Sequence, residues 1–162
     1  MMEARVAELI ETLGLVPHPE GGYYREIYRS VDQVNPPDGR GSRAMLTTIY
    51  FLLNAGEQSR WHQVDSDEVW HLYEGGPLEL SEMDANGGDL IQRQLTRVGG
   101  EGMPVHTVAA RNWQAARSLG SYTLVGCTVA PGFDFADFRM LADDPRLADK
   151  VRVEWPDVAS LI

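Results

Sequence analysis

Val6, Leu9, Ile10 and Leu13 recur at helical spacing near the start of the chain, and Gly14 follows where a left-handed residue would close the last turn. The pattern predicts a short amphipathic helix over residues 2–13. Pro17 and Pro19 stop helix formation, and beyond Gly21-Gly22 the aromatic and β-branched residues from Tyr23 to Ser30 predict a strand. Residues 32–42, rich in Pro, Gly and Asp, predict an exposed loop.

From Ala44 onward the period changes. Short apolar runs fall at 44–53, 59–64, 67–73, 78–83, 89–98, 104–109, 112–117 and 121–130, separated by turn sequences such as Asn54-Ala-Gly56, Gly75-Gly-Pro77 and Asn86-Gly-Gly88. Evenly spaced short strands of this kind predict an antiparallel sandwich or barrel. Pro145 after Asp143-Asp144 suits the first turn of a short C-terminal helix over about 144–150. There is no internal repeat. The length of 162 residues and 43% hydrophobic content suit one domain with its own core, the barrel occupying about 21–142.

One stretch carries candidate chemistry. Gly56 is followed after five residues by His62, then by Val64, Glu68 and Gly75. This spacing resembles the first motif of the cupin superfamily, in which a glycine precedes His-x-His and a glutamate and second glycine follow; Val64 stands where the second histidine would be. The chain is also similar to a single-domain cupin branch of unassigned function (cupin-5-like). That likeness rests on His18-Pro-Glu-Gly-Gly-Tyr-Tyr-Arg-Glu26, Thr48-Ile-Tyr-Phe-Leu-Leu53 and Pro131-Gly-Phe-Asp-Phe-Ala-Asp-Phe138. The resemblance implies an all-β-dominated jelly-roll β-barrel with short terminal helices, and a homodimer. The second cupin motif aligns poorly over Val108–Gln114, with Ala109 for proline, Arg111 for glycine, Gln114 for histidine and Ser118 for asparagine.

Alternation sends residues two apart to the same sheet face. With His62 inward, Arg60 and Val64 are expected inward too; Glu68 shares a face with Trp70 and Leu72, and His71 takes the other. The candidate catalytic pair is His62 and Glu68, an imidazole able to move protons beside a carboxylate that orients it. The same residues with Gln114 are the remaining candidate metal ligands, enough at most for a weakly held divalent transition metal, because an amide replaces an expected imidazole. Tyr24, Trp70, Trp113 and Gln114 are candidate ligand contacts on a barrel wall. Arg25 or Arg60, if inward, would fix a carboxylate or phosphate and favour an acidic ligand. His18 reads as a loop anchor between prolines, and His71 and His106 as residues outside the site.

Composition narrows the partners. A net charge of −10 argues against nucleic-acid binding, which needs clustered Lys and Arg. Lys150, the one lysine, lies in a polar stretch remote from the candidate pocket, which weakens any Schiff-base mechanism. The single Cys127 permits no internal disulfide and sits in an apolar run that reads as buried strand. With no secretory leader or membrane span in view, the expectation is a cytoplasmic protein without a membrane partner. Three functions fit: a polar small-molecule cupin acting as an isomerase or epimerase through His62 and Glu68; a metal-dependent enzyme using His62, Glu68 and Gln114; or a non-catalytic ligand-binding barrel. The missing histidines favour the first and third.

Overall fold

The computed structural model describes residues 4–162. An N-terminal helix, α1 (Ala4–Leu13), precedes a short β1 (Val16–Pro17) and then β2 (Tyr23–Arg29). Residues 2 and 3 of the expected helix lie outside the described residues. The 32–42 segment is not simply loop: β3 (Gln33–Val34) and β4 (Arg43–Ala44) pair across it as a small hairpin. The long strands follow as β5 (Thr47–Asn54), β6 (Gln58–Val64), β7 (Asp67–Gly75) and β8 (Leu78–Met83). Next come β9 (Ile91–Leu95), β10 (Val105–Val108), β11 (Trp113–Ser118), β12 (Tyr122–Ala130) and β13 (Phe138–Met140). The C-terminal helix α2 (Pro145–Glu154) runs one turn beyond the expected stretch, its first turn held by the Asp144 side chain accepting from the Leu147 amide.

Two antiparallel sheets result. One has the order β1-β2-β5-β12-β7-β10, the other β13-β6-β11-β8-β9. Phe51, Trp70, Leu80, Leu95, Val125 and Cys127 fill the space between them. The pleat then gives each sheet a second apolar face, and each is covered by a helix. Val6 and Leu9 of α1 close over Leu52 and Leu124 on the first sheet. Ala148 and Val151 of α2, with Val158 and Leu161 beyond it, cover Trp61, Met83, Trp113 and Ala115 on the second. Shielding a sheet's outer face lets alternate residues on both sides be apolar, which explains the nearly continuous hydrophobic runs in β5 and β12. Among the described residues no helix is long and apolar enough to cross a membrane.

Candidate active site

One end of the space between the sheets opens into a cavity of ≈ 480 Å³. Its floor carries His18, Glu20, His62 and Glu68, and Val64, Val129 and Ile49 form an apolar wall. Tyr24, Phe133, Phe135 and Phe138 supply the aromatic side.

His62 and Glu68 reach this floor by different routes. On β7 alternation holds: Glu68 lines the cavity, Trp70 lies in the core and Leu72 packs against it, while His71 is not part of the lining. On β6 it does not. Against β11, Gln114 pairs with His62 but Ala116 pairs with Ser59, so β6 carries one residue more than its partner in this span. This bulge puts Ser59 on the same side as His62 and leaves Arg60 exposed, its guanidinium donating to the Pro19 carbonyl. The expectation that Arg60 faces inward is thereby corrected. Arg25 also lies outside, donating to the Leu13 carbonyl, since Tyr24 takes the inward place beside it. Trp113 is buried on the outer face of its sheet under α2, and its indole donates to the Ala85 carbonyl.

A second bulge brings in an arginine that alternation alone would miss. β2 gains one residue on β5 between Glu26 and Tyr28, so Arg29 follows Glu26 to the cavity rim and Tyr28 turns outward. The Arg29 guanidinium is doubly bonded to Glu26, at 2.8 and 2.7 Å, and also donates to the Phe133 carbonyl.

His18 and Glu20 are the cavity-lining residues that periodicity does not find. They sit in a tight turn in which the Gly21 amide bonds the His18 carbonyl and the His18 amide bonds that of Gly22. Gly21 has φ +111°, and any β-carbon there would collide with the Gln58 carbonyl. That close approach presses the turn onto β6, where the Arg60 amide donates to the Glu20 carbonyl at 2.8 Å. The available signal was the pair of glycines directly after Glu20. His18 Nδ1 accepts from the Glu20 amide at 3.2 Å, anchoring the turn, and its ring also stands edge-on to Tyr24 with centroids 4.5 Å apart.

The electrostatics are those of desolvated groups. His62 Nδ1 bonds the Arg60 carbonyl at 2.8 Å, which makes Nδ1 the protonated nitrogen and leaves the Nε2 lone pair 3.2 Å from Glu20 Oε2. Ser59 donates to the other Glu20 oxygen at 2.7 Å, and Phe138 stacks on the imidazole at 5.5 Å. Burial holds His62 and His18 below the usual imidazole range and pushes Glu20 up. Glu68 is pushed up to about 7, first by burial, with His62 and the Gln114 hydrogen bond opposing. Gln114 donates to Glu68 at 2.5 Å and accepts from the Trp70 indole at 2.8 Å. Burial raises the Cys127 thiol well above its ordinary value, so beside Glu68 it is a neutral wall group rather than a nucleophile.

The donor set does not fit a transition metal. Both ends of the Gln114 amide are engaged within the protein and Val64 offers no ligand atom, so of the expected positions only His62 Nε2 and Glu68 remain. Among the described residues no three of His, Cys, Asp and Glu are grouped to hold an ion. His106 lies elsewhere, paired with Glu82 at 3.0 Å.

Arg111, aligned with the glycine of the second cupin motif, has φ +68°, the left-handed conformation that a glycine would take without strain. The profile of the Cupin superfamily (DUF985) matches residues 7–141. The chain belongs to this family. Among solved structures, this cupin is similar to a hypothetical protein from Leishmania major: 29% identity, TM-score 0.81, covering 96% of this chain and 95% of that one. A protein from Shewanella oneidensis is alike to the same degree, with 29% identity, TM-score 0.80, and coverage of 99% and 95%. Oxalate decarboxylase from Bacillus subtilis shares only the fold, at 15% identity and TM-score 0.57, over 90% of this chain and 36% of that one. No curated protein matches the sequence of this cupin. Its jelly roll and two short terminal helices agree with the architecture that the resemblance implied.

Proposed function

We propose that this cupin binds a polar small molecule in the cavity and moves a proton on it, as an isomerase or epimerase, with His62 as base and Glu68 as acid. The supporting observation is that two groups of opposite habit face one enclosed space: an imidazole held neutral and a carboxyl whose proton is retained up to about 7. Environments that push two titratable groups apart in this way suit paired acid and base roles near neutral pH. His62 Nε2 takes the proton from a carbon beside a carbonyl, and the Glu68 carboxyl gives its proton to the developing oxyanion or to the adjacent carbon. Glu20, 3.2 Å from the same nitrogen, receives or returns the proton and so resets His62. Gln114, held by Trp70, keeps the Glu68 carboxyl aimed. Neither step requires a metal ion.

Solvent exchange tests this reading directly. Neutral hydroxycarbonyl compounds such as dihydroxyacetone and erythrulose, incubated with the protein in heavy water, should gain deuterium beside the carbonyl, read by proton NMR. His62→Ala should remove the protein-dependent rate. Equal exchange in the variant and the native protein would refute the role of His62; binding without exchange across the panel would favour a non-catalytic binding barrel. We also propose a homodimer, for which exposed Ile27 and Tyr28 on the outer part of β2 offer apolar contact area; sedimentation at micromolar concentration measures it.

A further inference from the structure

The ionisable groups around the cavity are unbalanced. Four carboxyls line it, Glu20 and Glu68 on the floor and Glu26 and Asp134 at the rim, against one arginine, Arg29. The charge of that arginine is already matched by Glu26, which accepts from its Nε and Nη2, and the Phe133 carbonyl accepts a further bond from Nη2. The two imidazoles add no positive charge, since burial keeps His18 and His62 neutral. Arg25 and Arg60, the residues that would have recruited an acid, are both turned away and bonded to backbone carbonyls. Opposite the carboxyls stands an aromatic surface: Phe133, Phe135 and Phe138 contact one another edge-on at 5.0 to 6.0 Å.

We infer that the cavity selects an organic amine, a small molecule with a protonated nitrogen and an apolar or aromatic portion, and rejects carboxylates and phosphates. The protonated nitrogen supplies the positive charge that the carboxyls of the floor lack, and the ring faces add cation–π attraction. An anion in the same place meets carboxyls on both floor and rim, in a space where solvent screens poorly. The inference rests on the proposed reading of the cavity as the substrate site and narrows its substrate to amino-carbonyl compounds or similar neutral-to-cationic species.

A matched probe series separates charge from shape: benzylamine, benzyl alcohol and benzoate share one ring and differ in the polar group. Equilibrium binding by ligand-observed NMR at about pH 6 and about pH 8 spans the titration of a carboxyl near neutrality. Benzylamine should bind about tenfold tighter than benzoate at the higher pH, a difference that like-charge repulsion readily supplies. The preference should shrink at the lower pH as Glu68 gains its proton, and Glu68→Gln should abolish that pH dependence. Should Glu68→Gln fold poorly, Glu26→Ala at the exposed rim gives an independent reading: it frees Arg29 and should raise benzoate binding severalfold. Benzoate binding as well as benzylamine in the native protein, or benzoate binding unmoved by Glu26→Ala, would overturn the inference. Binding alone is measured, so the charge rule can stand where proton transfer fails, and turnover of an anionic substrate would sink the charge rule alone.

Discussion

Glu20 Oε2 lies 3.2 Å from His62 Nε2, although the two residues come from different elements, a proline-flanked turn and the strand it presses against. Burial acts on both, raising the carboxyl and lowering the imidazole, so the two titrate as one coupled pair. The same desolvation governs Glu68 across the cavity, and it makes the floor readable through pH.

Stability should carry the signature of Glu68. Its carboxyl stands at 4.5 ordinarily and about 7 here, so between those values the folded protein holds a proton that the unfolded chain has released. Unfolding free energy from this group therefore falls as pH rises through that window and is level above it. The buried histidines act in the opposite sense, losing stability as pH falls below the usual imidazole range. Comparing urea denaturation of the native protein with Glu68→Gln isolates the first effect: the variant should gain steadily on the native protein from pH about 5 to about 7.5. A constant difference across that range would show that the carboxyl is not raised.

Trp70→Phe removes the donor to Gln114 Oε1 and leaves a buried carbonyl without a partner. The loss of that bond should cost about 1–3 kcal/mol, measured by denaturant melts. With Gln114 free to turn, the Glu68 titration should also move upward, visible in carboxyl-region NMR.

Val64→His restores the imidazole of the first motif at a position that already lines the cavity beside His62 and Glu68. With His62 and Glu68 it makes the two-imidazole, one-carboxylate set that transition metals accept, whereas among the described residues of the native protein no three such ligands are grouped. Cobalt(II) added to the variant should give visible d–d absorption saturating at one equivalent, while the native protein should give none. A native protein that also binds one equivalent would contradict the fit argument made from Gln114 and Val64.

Asp137 is buried and grips the Arg43 guanidinium with both oxygens, at 2.8 and 2.7 Å, with Arg40 at 3.4 Å. Arg43→Ala leaves that carboxylate short of its main partner, with only Arg40 remaining, and should lower the urea midpoint. A double-mutant cycle with Asp137→Ala, followed by urea melts, measures the coupling itself.

The barrel and the identity of Glu68 were legible because β7 runs regularly through residues 67–72, so alternation alone orders Glu68, Trp70 and Leu72. Arg60 was not, because a bulge between Ser59 and His62 shifts parity within three residues, and nothing in the local pattern marks an inserted position. Arg29 was hidden by the second bulge in the same way. Tyr24 and Arg25 illustrate the converse: neighbours on one strand cannot both face inward, and alternation could have chosen between them. His18 and Glu20 escape periodic reasoning altogether. They precede the first long strand, and their place depends on a contact with β6 some forty residues onward, at about the Gly21 approach to Gln58. Trp113 beside Gln114 was ambiguous until α2 showed which face of β11 was capped.

The clasp of Asp137 on Arg43 and Arg40 ties the aromatic side of the cavity to the surface hairpin of β3 and β4, whereas His62, Glu68 and Gln114 are anchored in the sheets. The rim and the floor thus rest on different supports. A lengthened or shortened hairpin would reshape the doorway while the sheet-borne floor of His62, Glu68 and Gln114 stayed in place.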